Sequence, residues 1–331
     1  MNKGKFLKLN GQPASFEDMK FRKEAVKRII INHPQYKQVY ERIRETHLLS
    51  VGSTQPDGVF LSGLTGVGKT TLLKDYRDKY PRYIEDGITK IPIVYCKVPV
   101  GATPKSVASQ LLYSLGDPNY ERGTETVQTA RILKFVEKCE VQMIIIDEFQ
   151  HLIDRDTQHV LHKASHWVKT FMEDVKVPIL LCGMPESDKV FKYTDQLDRR
   201  FCIRVQLTAF KYGTKDEQFE FRAFLNNVDK QLPFPEQSYI ADRPLAEKLF
   251  YASKGVPFYV MKILEEATVH ALKLGQDRIE EFDLYKGYNA MTVSKRPFAV
   301  NPFDNPDFNL LDAIDEEERK NKRHGSQKHG A

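Results

Sequence analysis

The chain has 331 residues, 41% of them hydrophobic, which suffices for one large domain or two modest domains with a well-packed core. No apolar run approaches the roughly 20 residues of a membrane-spanning helix, and the first residues lack the apolar stretch of a secretory signal, so we expect no membrane association. The net charge is +5, and residues 1–49 contribute eleven Lys and Arg against five Asp and Glu, which leaves −1 for the rest. This basic leading segment favours either a polyanionic partner or a solvated helical face.

The cysteines indicate a reducing compartment. The four cysteines are Cys96, Cys139, Cys182 and Cys202, and none of them forms a CxxC pair. Three of the four fall in or beside predicted strands. We therefore expect buried, reduced thiols and a cytoplasmic location.

The N-terminal segment predicts helices. Phe21, Ala25, Ile29 and Ile30 recur at helical spacing within residues 16–49, and Pro34 divides that segment into two helices. We predict a basic helical extension over residues 1–49.

A complete phosphate-binding loop follows. Residues 63–70 match the pattern G-x-x-x-x-G-K-[ST] between an apolar run at Val59–Leu61 and a helical segment, and strand, loop, helix is the order such a loop requires. Its glycines allow the backbone N–H groups to wrap a phosphate, while Lys69 reaches the terminal phosphates and the Thr70 hydroxyl holds Mg²⁺. The predicted nucleotide-binding residues here are Gly63, Thr65, Gly66, Val67, Gly68, Lys69, Thr70 and Thr71.

An acidic pair ends a second apolar run. Met143–Ile146 is rich in β-branched residues and predicts a strand buried on both faces, with Asp147 and Glu148 at its carboxyl end. An aspartate there can hold Mg²⁺ through water, and the adjacent glutamate can orient or deprotonate the attacking water. A helix N-cap is the alternative for such a pair standing alone, but the phosphate loop favours hydrolysis.

Strands and helices alternate over residues 50–210 and then give way to helices. The predicted strands are Val59–Leu61, Ile91–Val98, Val141–Ile146, Val177–Leu181 and Phe201–Leu207. This order predicts an α/β fold with a parallel, doubly wound sheet. Residues 211–291 predict a helical lid, and residues 292–331 a C-terminal extension with a disordered tail from about Asp312.

These features together resemble an AAA+ ATPase, a P-loop NTPase with a five-stranded parallel sheet and a small helical lid. The resemblance implies ATP and Mg²⁺ as cofactors. In AAA+ proteins an arginine just before the fifth strand enters the neighbouring subunit's nucleotide site, where it neutralises charge on the γ-phosphate. The matching stretch here is Asp198-Arg199-Arg200-Phe201, with Arg200 the first candidate and Arg199 the second. A surface arginine pair is the alternative.

Within AAA+, the chain resembles the TnsC/TniB-type regulators of DNA transposition over about residues 20–305. The segments that carry this resemblance are 145–152, 182–186, 197–201, 254–257, 295–298 and 301–303. It implies a bacterial ATPase that forms homo-oligomeric rings or filaments on double-stranded DNA when ATP is bound. It also implies a TniQ- or TnsD-like target selector and a TnsA/TnsB-like transposase as partners, and compact forms of this family with a TniQ partner are typical of CRISPR-associated transposons.

The same resemblance implies where DNA binds. Two turns would line the pore of the ring, one with Lys105 and the other with Arg122 and Thr124. No base-reading helix is evident, so we expect phosphate contacts without sequence preference. For the first turn, helix capping by Thr103 with Lys105 in solvent is the alternative.

Two departures from AAA+ patterns lead us to expect either slow hydrolysis or an unusual sensing geometry. The fourth strand continues into Gly183-Met184-Pro185 without the usual polar sensor, and the lid stretch 255–259 contains no arginine. Two other functions remain open: a replication initiator or helicase loader, and a signalling NTPase that acts as a scaffold. The initiator is disfavoured because no helix-turn-helix module follows the lid.

Overall fold

A computed structural model describes residues 6–153, 157–292 and 296–328, and the chain divides into two compact units. The core unit is Pro34–Thr208, and the helical unit combines Met1–His33 with Ala209–Ala331. This corrects the predicted extension at residues 1–49, because its first helix belongs to the helical unit and its second to the core unit.

Five strands in the described part of the core unit form one parallel sheet, in the order Ile93–Lys97, Met143–Asp147, Ile179–Gly183, Gly58–Ser62 and Ile203–Gln206. All five predicted strands are confirmed. The strands of the core unit are β1 (Gly58–Ser62), β2 (Tyr83–Glu85), β3 (Ile88–Lys90), β4 (Ile93–Lys97), β5 (Met143–Asp147), β6 (Ile179–Gly183) and β7 (Ile203–Gln206). Pairing of Lys97 with Asp147, and of Ser62 with Gly183, brings the carboxyl ends of four strands to one edge.

Helices cover this sheet, and four of them begin with a side-chain cap. They are α2 (Pro34–Ser50), α3 (Lys69–Asp78), α4 (Pro104–Leu115), α5 (Glu125–Lys138), α6 (Gln158–Val175) and α7 (Asp195–Arg200). Thr103 and Ser106 form a capping box at the start of α4, and Thr124 caps α5. Trp167 and Phe171 of α6 are buried and stack with ring centroids 5.2 Å apart.

The short antiparallel hairpin β2–β3 is an element that the sequence analysis missed. Each strand has only three residues, and Tyr83 and Ile84 are exposed, so no alternation marks them. The hairpin turns at Asp86 and Gly87, both with positive φ. An Asp-Gly pair is the available signal, since type I′ turns require that conformation.

The helical unit contains α1 (Phe16–Lys27), α8 (Lys215–Asp229), α9 (Arg243–Ser253), α10 (Pro257–Lys273), α11 (Glu281–Asn289) and α12 (Leu310–Lys328). The predicted apolar face of α1 needs correction, because Phe21 is 65% exposed whereas Val26 is buried. Arg22 is also buried, and its guanidinium donates to Asp18 and to the carbonyls of Leu7 and Pro233, which satisfies its charge and its donors.

Helix α12 occupies the segment for which the sequence predicted a disordered tail. Its mixed charge suggested a solvated chain, but Glu317 is buried and paired with Arg296 at 2.5 Å within the helical unit. Lys295, which contributed to the family resemblance, lies outside the described residues. None of the helices in the described ranges has both the length and the hydrophobicity needed to cross a bilayer.

Candidate nucleotide-binding site

The phosphate-binding loop joins β1 to α3 at the carboxyl edge of the sheet. Gly66 and Gly68 have φ of 86° and 104°, a conformation that L side chains rarely adopt. Gly63 is required for a different reason, because a Cβ there would lie 2.3 Å from the carbonyl oxygen of Leu207. The backbone therefore has the form that the glycine pattern predicted.

The ammonium of Lys69 lies inside this loop. Its Nζ donates to the carbonyl oxygens of Gly63 at 2.6 Å and Leu64 at 3.0 Å. The other predicted loop residues are Thr65, Gly66, Val67, Gly68, Thr70 and Thr71, and all lie between the end of β1 and the first turn of α3. Loop N–H groups, a helix N-terminus and the half-buried ammonium of Lys69 together form the charge pattern that a phosphate requires.

Thr70 and Asp147 meet although 77 residues separate them. The Thr70 hydroxyl donates to Asp147 Oδ2 at 2.8 Å, and the Glu148 N–H donates to Asp147 Oδ1 at 2.8 Å. Asp147 is 1% exposed, so it needs such donors. One hydroxyl and one carboxylate fit Mg²⁺, which usually takes one or two carboxylates together with phosphate oxygens and water.

Tyr95 on β4 is a third partner of Asp147 that the sequence analysis missed. Its phenol donates to Asp147 Oδ2 at 2.7 Å, and burial, followed by this hydrogen bond, raises the pKa of Tyr95 well above its ordinary value. Lys97 of β4 pairs with Asp147 of β5, so Tyr95, two residues before Lys97, lies beside the aspartate. A tyrosine among apolar residues just before Lys97 was the available signal.

Glu148 follows β5 directly and has φ 58° and ψ 37°, which is strained for a residue other than glycine. It is half-buried, and its carboxylate accepts a hydrogen bond from the Gln150 amide. A strained backbone at a carboxylate beside a phosphate-binding loop is typical of a functional position.

The two candidate arginines end the short helix α7. Leu197 and Phe201 anchor this helix in the core, while Arg200 pairs with Glu173 at 3.6 Å. Arg199 is exposed and makes no ion pair with the described residues. No described hydrogen bond or ion pair joins either arginine to the phosphate loop or to the acidic pair of its own chain.

The candidate DNA contacts lie at the starts of two neighbouring helices. Lys105 is exposed in the first turn of α4, next to the Thr103 cap. This arrangement fits the capping interpretation, and it also leaves the Lys105 ammonium exposed. Arg122 is exposed, and Thr124 uses its hydroxyl to cap α5. Arg131 orders this turn through the carbonyls of Asn119 and Arg122.

Comparison with known proteins identifies the family. The sequence model of the family described as "Bacterial TniB protein" matches residues 23–212, which is more than half of the chain. The chain belongs to the TniB family. The matched residues include the phosphate loop, the acidic pair and the arginines of α7.

Solved structures similar to this TniB-family chain have the AAA+ fold of ORC and Cdc6 proteins. Cdc6p from Pyrobaculum aerophilum gives a TM-score of 0.59 at 16% identity, covering 82% of this chain and 72% of that one. The Aeropyrum pernix ORC2 protein in ADPNP-ADP complexes gives 0.58 at 15% identity, with the same coverages. The Aeropyrum pernix ORC1 protein in complex with DNA gives 0.57 at 14% identity, covering 81% and 69%. At these identities the similarity establishes the fold alone.

A relative found by sequence comparison is also named as an ORC-type protein. The ORC1-type DNA replication protein 1 of Sulfurisphaera tokodaii is 24% identical over 164 residues, which are 49% of this chain and 40% of the relative. The TniB-family chain therefore spans about two fifths of that protein's length.

Proposed function

We propose that this TniB-family protein is an ATPase that assembles on duplex DNA in its ATP-bound form and regulates DNA transposition. The observation that carries the ATPase part is the meeting of Thr70 and Asp147 at 2.8 Å beside a complete phosphate loop. In the proposed assembly, a homo-oligomeric ring or filament links a TniQ- or TnsD-like target selector to a TnsA/TnsB-like transposase. Family membership supports this part of the proposal.

The proposed chemistry divides among a few side chains. Lys69 neutralises the terminal phosphates, and Thr70 with Asp147 would hold Mg²⁺, which would supply charge stabilisation when bound. Glu148 takes a proton from the attacking water. Arg200, or Arg199, completes the site of a neighbouring subunit, which agrees with the lack of described contacts between either arginine and the site of its own chain.

A replication initiator is the second candidate. The similarity in fold to ORC and Cdc6 proteins and the match to an ORC1-type replication protein favour it. The two candidates would differ in how they contact DNA: the proposed transposition regulator binds phosphates without sequence preference, whereas an initiator that selects an origin must also contact base edges.

Electron micrographs of the protein with duplex DNA and a non-hydrolysable ATP analogue test the proposal. We expect rings or filaments threaded by DNA of unrelated sequences, and none with Lys69→Ala, which loses the ammonium that pairs with the phosphates. Tight binding to a single sequence without nucleotide would instead support the initiator.

A further inference from the structure

The end of β6 lacks the polar side chain that commonly completes an AAA+ hydrolysis site, and the structure shows another polar group there. Strand β6 ends at Gly183 and continues into Met184, neither of which has a polar side chain. The amide of Gln150 reaches this point, since its Oε1 accepts a hydrogen bond from the Met184 N–H at 3.2 Å.

The same amide also contacts the candidate general base. Gln150 Nε2 donates to Glu148 Oε2, so one side chain joins the glutamate that follows β5 to the backbone that follows β6. We propose that Gln150 is the positioning residue for Glu148 and takes the place of the polar residue that β6 lacks. This inference rests on the proposed ATPase function.

The connection continues to the phosphate loop. The carbonyl of Gly183 accepts a hydrogen bond from the Gly63 N–H at 3.3 Å, and the carbonyl of Gly63 in turn accepts one from Lys69. The Thr65 hydroxyl lies 3.7 Å from the sulfur of Met184. Gln150 therefore links the Glu148 carboxylate to the segment that supports the phosphate loop. This link fixes the position of the carboxylate relative to the loop.

Close packing fixes the amide in this place. A Cβ on Gly183 would lie 3.1 Å from Gln150 Oε1 and 3.0 Å from Ser187 Oγ, so glycine allows the approach. Between the two polar residues, Phe149 is fully buried and anchors the 3-10 helix Phe149–Leu152. Glu148 needs such support because its positive φ is unfavourable for a glutamate.

Chemically, a donor on one carboxylate oxygen leaves the other oxygen to accept the proton of the attacking water. Gln150 thus orients the base and does not itself exchange a proton. A leucine at 150 has a similar size but neither donor nor acceptor, whereas a glutamate keeps the shape and adds a second carboxylate next to Glu148.

The test compares Gln150→Leu, Gln150→Glu and Gln150→Asn with the wild-type protein, using ATP, Mg²⁺ and duplex DNA. Gln55→Leu is the matched control, since Gln55 is exposed in the loop before β1 and lies outside these contacts. The measurements are kcat, ATP affinity with a fluorescent nucleotide, and thermal unfolding.

We expect Gln150→Leu to lower kcat by about 10- to 100-fold, part of the roughly 10²–10⁴-fold that a general base contributes, with ATP affinity changed less than about twofold. Gln150→Asn should recover part of the rate. Gln150→Glu removes the donor to Glu148 and should lower kcat at least as far as Gln150→Leu does. A purely structural role would lower thermal stability and ATP affinity together with kcat.

Two results overturn the inference: a wild-type kcat in Gln150→Leu, or an ATP affinity that falls in Gln150→Leu as much as kcat does. Failure of the proposed function itself is distinguishable through Lys69→Ala. If the wild-type protein hydrolyses no ATP, or Lys69→Ala hydrolyses it normally, the ATPase proposal and this inference both fail. If Lys69→Ala is inactive and Gln150→Leu is normal, only the role of Gln150 is lost.

Discussion

Loss of the buried ion pair between Arg296 and Glu317 should release α12 from the helical unit. The two side chains are 8% and 4% exposed, and Arg296 also donates to the carbonyls of Tyr251 at 2.7 Å and Ala252 at 3.0 Å. Removing one partner of a buried pair costs about 3–5 kcal/mol, since it leaves the other charge uncompensated. Lys254 Nζ remains 3.6 Å from Glu317, so for Arg296→Met we expect the lower end, about 3 kcal/mol.

Urea unfolding and hydrogen exchange of the α12 amides measure this loss. The control is Lys320→Met, which removes an exposed pair with Glu316 on the same helix and should cost less than about 1 kcal/mol. The double variant Arg296→Met/Glu317→Leu should recover stability, because no unpaired charge remains buried. The reasoning is refuted if Arg296→Met costs no more than Lys320→Met, or if wild-type α12 amides exchange without protection.

The contribution of this pair should also depend on pH. The hydrogen bond from Arg296 lowers the pKa of Glu317 below its ordinary value. Because the folded-state pKa is the lower one, the stabilisation is complete above the ordinary glutamate pKa and is lost as the pH falls through the folded-state value. The difference in unfolding free energy between wild type and Arg296→Met should therefore shrink in acid and persist at neutral pH.

Three further predictions concern the candidate site and the DNA contacts. Glu148→Gln should bind ATP yet hydrolyse it about 10²–10⁴-fold more slowly and prolong DNA-bound assemblies, and a normal rate in a turnover assay would show that Glu148 is not the base. Mixing Arg200→Ala with Lys69→Ala subunits should restore some hydrolysis, because one interface regains both an intact arginine and an intact phosphate loop, and an arginine finger is worth roughly 10³–10⁵ in rate. If both variants fold and associate but hydrolysis is not restored, a shared site is excluded. Lys105→Glu should weaken binding equally on unrelated duplexes and flatten the slope of log affinity against log salt by about 0.9 per lost contact, as fluorescence anisotropy over a salt series would show; an unchanged slope would remove Lys105 from the DNA path.

Several features of this protein were readable from short stretches of sequence. The glycines of residues 63–70, the β-branched run before Asp147 and the alternation of strands with helices each reflect a local requirement: positive φ, burial on both faces, or a crossover connection. The strands and the phosphate-binding loop were predicted for this reason, whereas the family was predicted from a resemblance. The resemblance to TnsC/TniB regulators extended these local signals to partners and DNA, which stay predictions.

Tertiary structure decided the features that depend on residues far apart in the chain. Tyr95 lies 52 residues from Asp147 in sequence, and Gln150 lies 34 residues from Met184, so only the pairing of parallel strands brings them together. The face of α1 and the order of α12 follow from burial of Arg22 and Glu317 against distant partners, where charge in the sequence suggested solvent. A composition-based rule treats each charge as solvated, whereas the fold supplies the carbonyls and counter-charges that allow it to be buried.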